Sequence, residues 1–170
     1  MLFIFGGLPG TGKTELAIHL AQKVGAAYVR IDTIEQAMRD GGLTTIGPQG
    51  YFVAYKVAAD NLRLGMSVVA DSVNPLDVTR QAWREVAIQA GAPFREIEII
   101  CSDRAEHRRR VSTRQSRIPR LKLPTWRDVV EREYHPWPNR HLAIDTAGQT
   151  PEESKKALEQ CLRYEDGGGN

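Results

Sequence analysis

Short apolar or β-branched runs alternate with longer stretches of helical periodicity along the chain. Five runs predict buried β-strands over residues 2–5, 27–32, 67–71, 96–101 and 141–145. Apolar residues at helical spacing predict helices over residues 13–24, 33–38, 50–64, 76–90, 104–117 and 126–133, and from 151 onward. The alternation indicates an α/β fold with a parallel sheet that is covered by helices on both faces.

The same periodicity assigns a buried side to three of these helices. In the helix over 13–24 the buried positions are Leu16, Ala17, Leu20, Ala21 and Val24. In the helix over 50–64 they are Phe52, Val53, Val57, Ala58 and Leu62. In the helix over 76–90 they include Val78, Ala82, Val86 and Ile88. The last helix is expected to have Thr150 as its cap and Pro151 at its first position.

Length and composition predict a single domain over residues 1–165 with a flexible tail at 166–170. No apolar run is long enough to span a membrane, and no signal peptide precedes the first strand, so we expect a cytoplasmic protein. Cys101 and Cys161 lie far apart and fit packed positions better than metal ligands. His107, His135 and His141 also lack metal-ligand spacing. A net charge of +2 gives no argument for nucleic acid by itself.

The loop after the first predicted strand has the composition of a phosphate-binding loop. Residues 7–14 read GLPGTGKT and match the pattern GxxxxGK[ST] between a strand and a helix. Its glycines allow the backbone to wrap around a phosphate group, and the helix adds the positive end of its dipole. We expect Lys13 to reach the β- and γ-phosphates of ATP, and Thr14 to hold Mg²⁺. The residues expected to contact the nucleotide are Gly7, Leu8, Pro9, Gly10, Thr11, Gly12, Lys13, Thr14 and Glu15.

Three predicted strands end on an aspartate, namely Asp32, Asp71 and Asp145. Ligands of open parallel sheets bind at the carboxyl ends of the strands. Three acids at that edge, beside the phosphate loop, therefore predict a functional site.

The order and spacing of five motifs resemble the small P-loop kinases. The motifs are GLPGTGKT, RID at 30–32, VVADS at 68–72, RVSTR at 110–114 and IDT at 144–146. The chain looks most like the predicted AAA-type ATP-binding kinases that are grouped with zeta toxins, chloramphenicol phosphotransferase and the kinase domain of polynucleotide kinase. This resemblance implies a three-layer P-loop NTPase sandwich with strand order 2-3-1-4-5, a helical lid at about 104–138, and ATP and Mg²⁺ as cofactors.

In the kinases that the chain resembles, an aspartate after the second strand accepts the proton of the substrate hydroxyl, and Asp32 occupies that place. The alternative is that Asp32 only caps the following helix. Many relatives have arginine three residues later, where this chain has Glu35. Arg30 or Arg39 could substitute for it. Glu35 favours a hydroxylated or amine-bearing acceptor over a phosphorylated one.

Other residues are expected at the metal and the acceptor. Asp71 corresponds to the second acid of P-loop NTPases and is expected to hold Mg²⁺ or its water shell, with a substrate contact as the alternative. Ser72 and Asn74 could line the same pocket, although turn chemistry explains both equally well. The residues expected at the acceptor are Arg30, Asp32, Glu35, Tyr51, Tyr55, Asp71, Ser72 and Arg117.

Residues 104–122, named here the basic segment, contain eight Lys or Arg residues and one acid. At helical spacing Arg110, Arg114 and Arg117 share one face. Similar kinases carry arginines on a lid over the triphosphate, and Arg110 and Arg114 fit that pattern. The alternatives are a solvated face, which suits Arg108 and Arg109, and a nucleic-acid surface, for which few aromatic residues are interleaved.

The residues after the fifth predicted strand, 146–148, correspond to a loop that passes near the adenine in similar kinases. Thr146 is therefore expected to line the base, with an ordinary strand-to-helix turn as an equal alternative.

Three functions remain open from the sequence. The first is an ATP-dependent kinase that transfers phosphate to a hydroxyl of a small molecule. The second is a polynucleotide or nucleotide 5′-hydroxyl kinase, and the third is an NTP-binding regulatory module with slow hydrolysis. The oligomeric state is not determined by the sequence.

Overall fold

The computed structural model describes residues 1–137 and 141–166, so the predicted frayed end at 167–170 lies outside the described residues. Within them, strands and helices alternate as the sequence predicts. The strands are β1 (Leu2–Gly6), β2 (Ala27–Arg30), β3 (Val68–Asp71), β4 (Phe94–Ile100) and β5 (Leu142–Asp145). The helices are α1 (Lys13–Val24), α2 (Ile31–Asp40), α3 (Gln49–Arg63), α4 (Asp77–Gln89), α5 (Arg104–Thr113), α6 (Trp126–Val130) and α7 (Pro151–Asp166).

The five strands form one parallel sheet in the order β2-β3-β1-β4-β5, which confirms the predicted topology. β1 lies in the centre and pairs with β3 on one side and β4 on the other. Because β1 and β3 end side by side, the phosphate loop and Asp71 meet at one edge of the sheet.

Alternation along β1 divides the core between the two faces of the sheet. Leu2 and Ile4 pack in one cluster with residues of α3 and α4. Phe3 and Phe5 pack in the other cluster with residues of α1 and α7. Successive side chains of a strand point to opposite faces, so a fully apolar strand requires helices on both. The result is the predicted three-layer sandwich.

The buried side of α3 differs from the prediction. Phe52, Val53 and Val57 are exposed, whereas Ala58 and Leu62 are buried as predicted. The buried side consists mainly of small residues, namely Gly50, Ala54, Ala58, Ala59 and Leu62. α3 packs against α2, α4, β2 and β3 at once, and small side chains allow this close approach. Three other residues that were expected to be buried, Val24, Val78 and Ile88, are exposed as well.

Two helix boundaries near the predicted site also differ. α2 begins at Ile31 after Arg30 as N-cap, with no side-chain cap bond, so Asp32 lies in its first turn and does not cap it. α5 ends at Thr113, where Ser112 and Thr113 bond back to carbonyls four residues earlier. The shared helical face predicted for Arg110, Arg114 and Arg117 is therefore wrong.

Two further predictions agree with the structure. Thr150 and Glu153 form a reciprocal cap around Pro151, the first residue of α7. Cys101, after β4, is buried and Cys161, in α7, is partly buried, as expected for packed positions. Within the two described ranges, no helix has the length and apolar character needed to cross a bilayer.

Candidate active site

The phosphate loop, residues 7–14, is tightly fixed at its start. The N–H of Gly7 donates to the carbonyl of Val73 at 3.0 Å, and the hydroxyl of Thr11 donates to the carbonyl of Leu8 at 2.9 Å. Gly7 has a φ of 138°, and a Cβ there would lie 2.2 Å from the carbonyl oxygen of Ile99. Only glycine fits this position, which explains why the motif has glycine at residue 7.

Lys13 and Asp71 form a buried ion pair at the end of the loop. Lys13 Nζ lies 2.7 Å from Asp71 Oδ1, and the hydroxyl of Tyr28 donates to Asp71 Oδ2 at 2.6 Å. Burial opposes the charge on Asp71, but the Lys13 ammonium and the hydrogen bonds of Tyr28 and Thr14 outweigh it and lower the pKa of this carboxyl. Asp71 is therefore a carboxylate at neutral pH.

The two residues expected to hold Mg²⁺ lie together. The Thr14 side chain lies close enough to the Asp71 carboxylate, at the end of the adjacent strand β3, to help lower its pKa. A hydroxyl and a carboxylate oxygen are ligands that suit Mg²⁺, which takes its remaining positions from water and substrate phosphates. The oxygen donors at this edge of the sheet therefore fit the metal.

Arg30 connects Asp71 to Asp32. In the β2–β3 register Arg30 is the partner of Asp71, and its Nε lies 3.8 Å from Asp71 Oδ2. Its Nη2 donates to Asp32 Oδ2 at 3.1 Å. The Asp32 side chain remains 46% exposed. Asp32 therefore lies beside the Lys13–Asp71 pair and is open to a ligand.

Arg114 carries a cation that is poorly satisfied within the protein. Its Nε and Nη2 are buried and have no hydrogen-bond partner among the described residues. Burial and the nearby Arg30 lower the pKa of this guanidinium, while Asp32 opposes the shift. A buried guanidinium without acceptors is costly, so this position is suited to an anionic ligand.

Arg110, unlike Arg114, has its hydrogen-bond partners within the protein. It donates to Thr146 Oγ1 at 2.7 Å and to the Thr146 carbonyl at 2.8 Å. It also pairs with Glu106, whose carboxylate accepts from the N–H of Gly148 at 2.8 Å. Arg110 therefore fixes the turn after β5, the one expected near the adenine.

Two exposed ion pairs hold the remainder of the basic segment. Arg117 lies 2.7 Å from Glu15 in the first turn of α1, and Arg120 lies 3.2 Å from Asp40 at the end of α2. Exposed pairs of this kind contribute about 0–1 kcal/mol each. The segment after α5 is thus attached to both neighbouring helices by contacts that cost little to break.

One groove of about 1060 Å³ is lined by Lys13, Thr14, Arg30, Asp32 and Arg114, while the buried Asp71 lies behind its lining. The phosphate loop forms one wall, α2 a second, and the segment after α5 a third. Its lining includes nine Lys or Arg residues and four acids. Such a charge excess favours ligands with several negative charges, as ATP has.

The residues expected at the acceptor are not all in this groove. Glu35 and Tyr51 line it together with Asp32. Tyr55 packs edge-on against Trp83 at 4.7 Å between ring centroids, in the core of the α3 face. Ser72 is buried. Asp145 accepts from the N–H groups of Ser102 and Ala147, so the structure gives it a turn role.

Glu35 provides a prediction about pH and stability. Burial raises the pKa of this carboxyl, and Arg39 only partly offsets it. In the unfolded chain a Glu has a pKa of about 4.3, so the native state binds the proton of Glu35 more tightly than the unfolded state does. The protonated carboxyl therefore stabilises the fold at low pH, and this contribution is lost as pH rises through the folded pKa. We expect Glu35→Gln to match the wild type below about pH 4 and to unfold at a higher temperature near pH 7.

Thermal unfolding across this pH range, with the exposed Glu131→Gln as control, measures the effect. A Glu35→Gln variant that becomes less stable than the wild type as pH rises would contradict the assignment.

Two site residues had no clear signal in the sequence. Tyr28 reaches Asp71 only because β2 and β3 are neighbours. Arg80 is fully buried and stacks on Trp137 at 4.3 Å. Its guanidinium donates to the carbonyls of Asn74, Pro75, His135 and Pro136. Arg80 thereby fastens the end of the expected lid to the loop after β3.

A family model for AAA domains, AAA_33, matches residues 2–132 of the chain. The chain belongs to this AAA domain family. No curated protein has a sequence that matches it.

Three solved structures with the same fold are described as kinases or as complexes with nucleotide analogues. A candidate kinase from Chloroflexus aurantiacus j-10-fl is 23% identical, with 96% of each chain covered and a TM-score of 0.73. Kti12 of Chaetomium thermophilum, in complex with ADP-AlF3, is 16% identical, with 96% of this chain and 98% of that chain covered and a TM-score of 0.71. The APS kinase CysC of Mycobacterium tuberculosis, with AMPPNP and APS, is 18% identical, with 95% and 96% covered and a TM-score of 0.66. At these identities the likeness establishes the fold, that of the small P-loop kinases.

Proposed function

We propose that this AAA-domain protein is an ATP-dependent, magnesium-requiring kinase that transfers the γ-phosphate to a hydroxyl of a small molecule. The observation that carries the proposal is a continuous set of charged contacts at one end of the groove. Lys13 contacts Asp71, Arg30 reaches both Asp71 and Asp32, and Arg114 lies near Asp32 with unpartnered donors. These contacts support a site in which phosphate binding, metal binding, a base and a charge-stabilising cation work together.

The residues suggest a simple division of roles. The loop N–H groups and Lys13 bind the β- and γ-phosphates. Asp32 orients the acceptor hydroxyl and takes its proton as the new O–P bond forms and the bond to ADP breaks. Arg114 neutralises the oxygens of the transferring phosphoryl group. Thr14 and Asp71 would hold Mg²⁺, which supplies charge neutralisation at the phosphates.

The basic segment acts as a lid in this proposal. Its two exposed ion pairs, Arg117–Glu15 and Arg120–Asp40, can open to admit ligands and close again. Closure would bring Arg114 onto the triphosphate and exclude water from the reaction.

A second candidate is a kinase of oligonucleotide 5′-hydroxyl groups. The excess of basic residues in the groove favours it, since exposed arginines such as Arg117 could follow a phosphate backbone. Against it, Glu35 lies on the acceptor side of the groove and repels phosphate when it is ionised.

Radiolabelled ATP with a panel of hydroxylated metabolites and 5′-hydroxyl oligonucleotides separates the two candidates. Transfer to a metabolite alone supports the first, and transfer to an oligonucleotide that falls steeply with salt supports the second. The Lys13→Ala protein is the negative control. Label that stays on ATP with every acceptor in the panel would contradict both candidates.

The two lid arginines should differ in kinetic effect. Arg114→Lys keeps the charge but loses the planar fork, so we expect kcat to fall by roughly tenfold to a hundredfold. Arg110→Lys should mainly raise the KM for ATP, because Arg110 fixes the turn at Thr146. Arg108→Lys, on the outer face of α5, is the matched control and should change neither constant.

Steady-state kinetics of the three variants give this comparison. Equal, small effects at all three positions, together with salt-sensitive oligonucleotide binding, would exclude the proposed role of Arg114.

A further inference from the structure

Two buried side chains outside the groove contact the backbone of the phosphate loop. His107 on α5 is 6% exposed, and its Nε2 lies 2.9 Å from the carbonyl oxygen of Pro9. Thr146, after β5, is 3% exposed, and its Oγ1 lies 2.8 Å from the carbonyl oxygen of Thr11. The groove is lined by Gly10 and Gly12 but by neither of these two side chains. The two carbonyls therefore point away from the groove into the protein.

The direction of these hydrogen bonds follows from their chemistry. A carbonyl oxygen can only accept, so His107 Nε2 carries a proton. The Thr146 hydroxyl has one proton and two carbonyl acceptors, Thr11 at 2.8 Å and Ile100 at 3.1 Å, of which Thr11 is the nearer. In a trans peptide the C=O and the following N–H point in opposite directions. Fixing the carbonyls of Pro9 and Thr11 on the protein side thus turns the N–H groups of Gly10 and Gly12 toward the groove.

The ring of His107 is itself held in place by its neighbours. It meets Trp126 edge-on, with 5.2 Å between ring centroids. α5 also approaches the loop closely at Gly10, where a Cβ would lie 2.5 Å from Val111 Cγ2. The packing of α5 against the loop therefore holds the His107 N–H in position, as a preorganised site requires.

We propose that His107 and Thr146 are positioning residues that orient the Gly10 and Gly12 N–H groups for phosphate binding. Each of these peptide units precedes a glycine with positive φ, 91° at Gly10 and 92° at Gly12. Glycine permits backbone rotation at low steric cost. Without the hydrogen bonds from His107 and Thr146, these peptide units would therefore also adopt orientations in which the N–H points away from the ligand. The inference rests on the proposed function only in requiring that the loop binds phosphate.

Inorganic tripolyphosphate is the probe, because it occupies the phosphate loop without a base or an acceptor. His107→Phe keeps an aromatic ring against Trp126 but loses the donor, and His107→Gln restores an N–H donor. Loss of one hydrogen bond is worth roughly a threefold to tenfold change in Kd. We expect that loss of tripolyphosphate affinity for His107→Phe, and recovery to within about twofold of the wild type for His107→Gln.

Thr146 provides an independent pair of variants in case His107→Phe does not fold. Thr146→Val removes the hydroxyl at nearly constant shape and should weaken tripolyphosphate by a similar factor, while Thr146→Ser should not. His19→Phe, on α1 and paired with Glu159, is the control for loss of a histidine elsewhere. In ¹H–¹⁵N spectra the Gly10 and Gly12 amide shifts caused by tripolyphosphate should shrink in His107→Phe and Thr146→Val.

The outcomes separate this inference from the proposed function. A wild-type protein without affinity for tripolyphosphate would overturn both. Wild-type binding that His107→Phe and Thr146→Val leave unchanged would overturn the positioning role alone. Equal losses in His107→Phe and His107→Gln, with Thr146→Val and Thr146→Ser also alike, would overturn it too, because packing would then explain the effect.

Discussion

Lys13→Ala should abolish ATP turnover and weaken nucleotide binding by at least about tenfold. Lys13 is the cation of the phosphate loop, and its Nζ already lies 2.7 Å from Asp71, beside the expected position of the phosphates. The same change leaves the fully buried Asp71 carboxylate without its ammonium partner. Breaking a buried pair from one side commonly costs about 3–5 kcal/mol, so we also expect a lower unfolding temperature.

Lys13→Gln separates catalysis from stability. Its amide can still donate to Asp71, so it should recover much of the lost stability while turnover remains absent. Isothermal titration with ADP, thermal unfolding and ATP consumption measure the three effects. Turnover at the normal rate in Lys13→Gln would show that the loop does not bind the transferred phosphate.

Asp32→Asn should lower kcat by about 10²–10⁴-fold, the usual contribution of general acid–base catalysis, and leave ADP affinity nearly unchanged. The amide oxygen of Asn can still accept from Arg30, which donates to Asp32 at 3.1 Å, so the first turn of α2 should keep its structure. A loose phosphoryl-transfer transition state needs less help from a base, which places the expectation at the lower end of this range.

Asp60→Asn on α3 is the control, since Asp60 is 75% exposed and neither it nor its partner Arg63 lines the groove. Its effect on kcat should be less than about twofold, as for other exposed ion pairs. A variant Asp32→Asn that keeps the wild-type kcat would exclude the base and favour a regulatory NTP-binding module, which needs no acceptor chemistry.

The phosphate loop could be recognised from the sequence because its motif is contiguous. The glycines, Lys13 and Thr14 of the motif all lie within residues 7–14, so no contact between distant segments is needed to identify it. The sheet order could be predicted as well, but from the resemblance to P-loop kinases and not from periodicity. Strand pairing depends on contacts between distant segments, which alternation along one strand does not specify.

The buried side of α3 could not be predicted from apolar spacing. This helix has apolar residues on two sides, and either side could be the buried one. One side carries the large residues Phe52 and Val53, and the other carries the small residues Ala54 and Ala58. The side with large residues is the more hydrophobic of the two. The side with small residues is nevertheless buried, because α3 packs against α2, α4, β2 and β3. Small side chains let these four elements approach the helix closely, and this outweighs the gain from burying larger side chains.

By itself, the sequence determined the class of fold, the phosphate loop and two of the three predicted strand-end acids, Asp71 and Asp145, because each depends on residues close together in the chain. Only the tertiary structure decided which charged residues act together. It paired Asp71 with Tyr28 and directed the Asp145 carboxylate to the N–H groups of Ser102 and Ala147. It also gave Arg110 protein partners that Arg114 lacks, because α5 ends at Thr113 between them. Those outcomes depend on strand neighbours and on competition for hydrogen bonds between distant segments, and no local pattern contains that information.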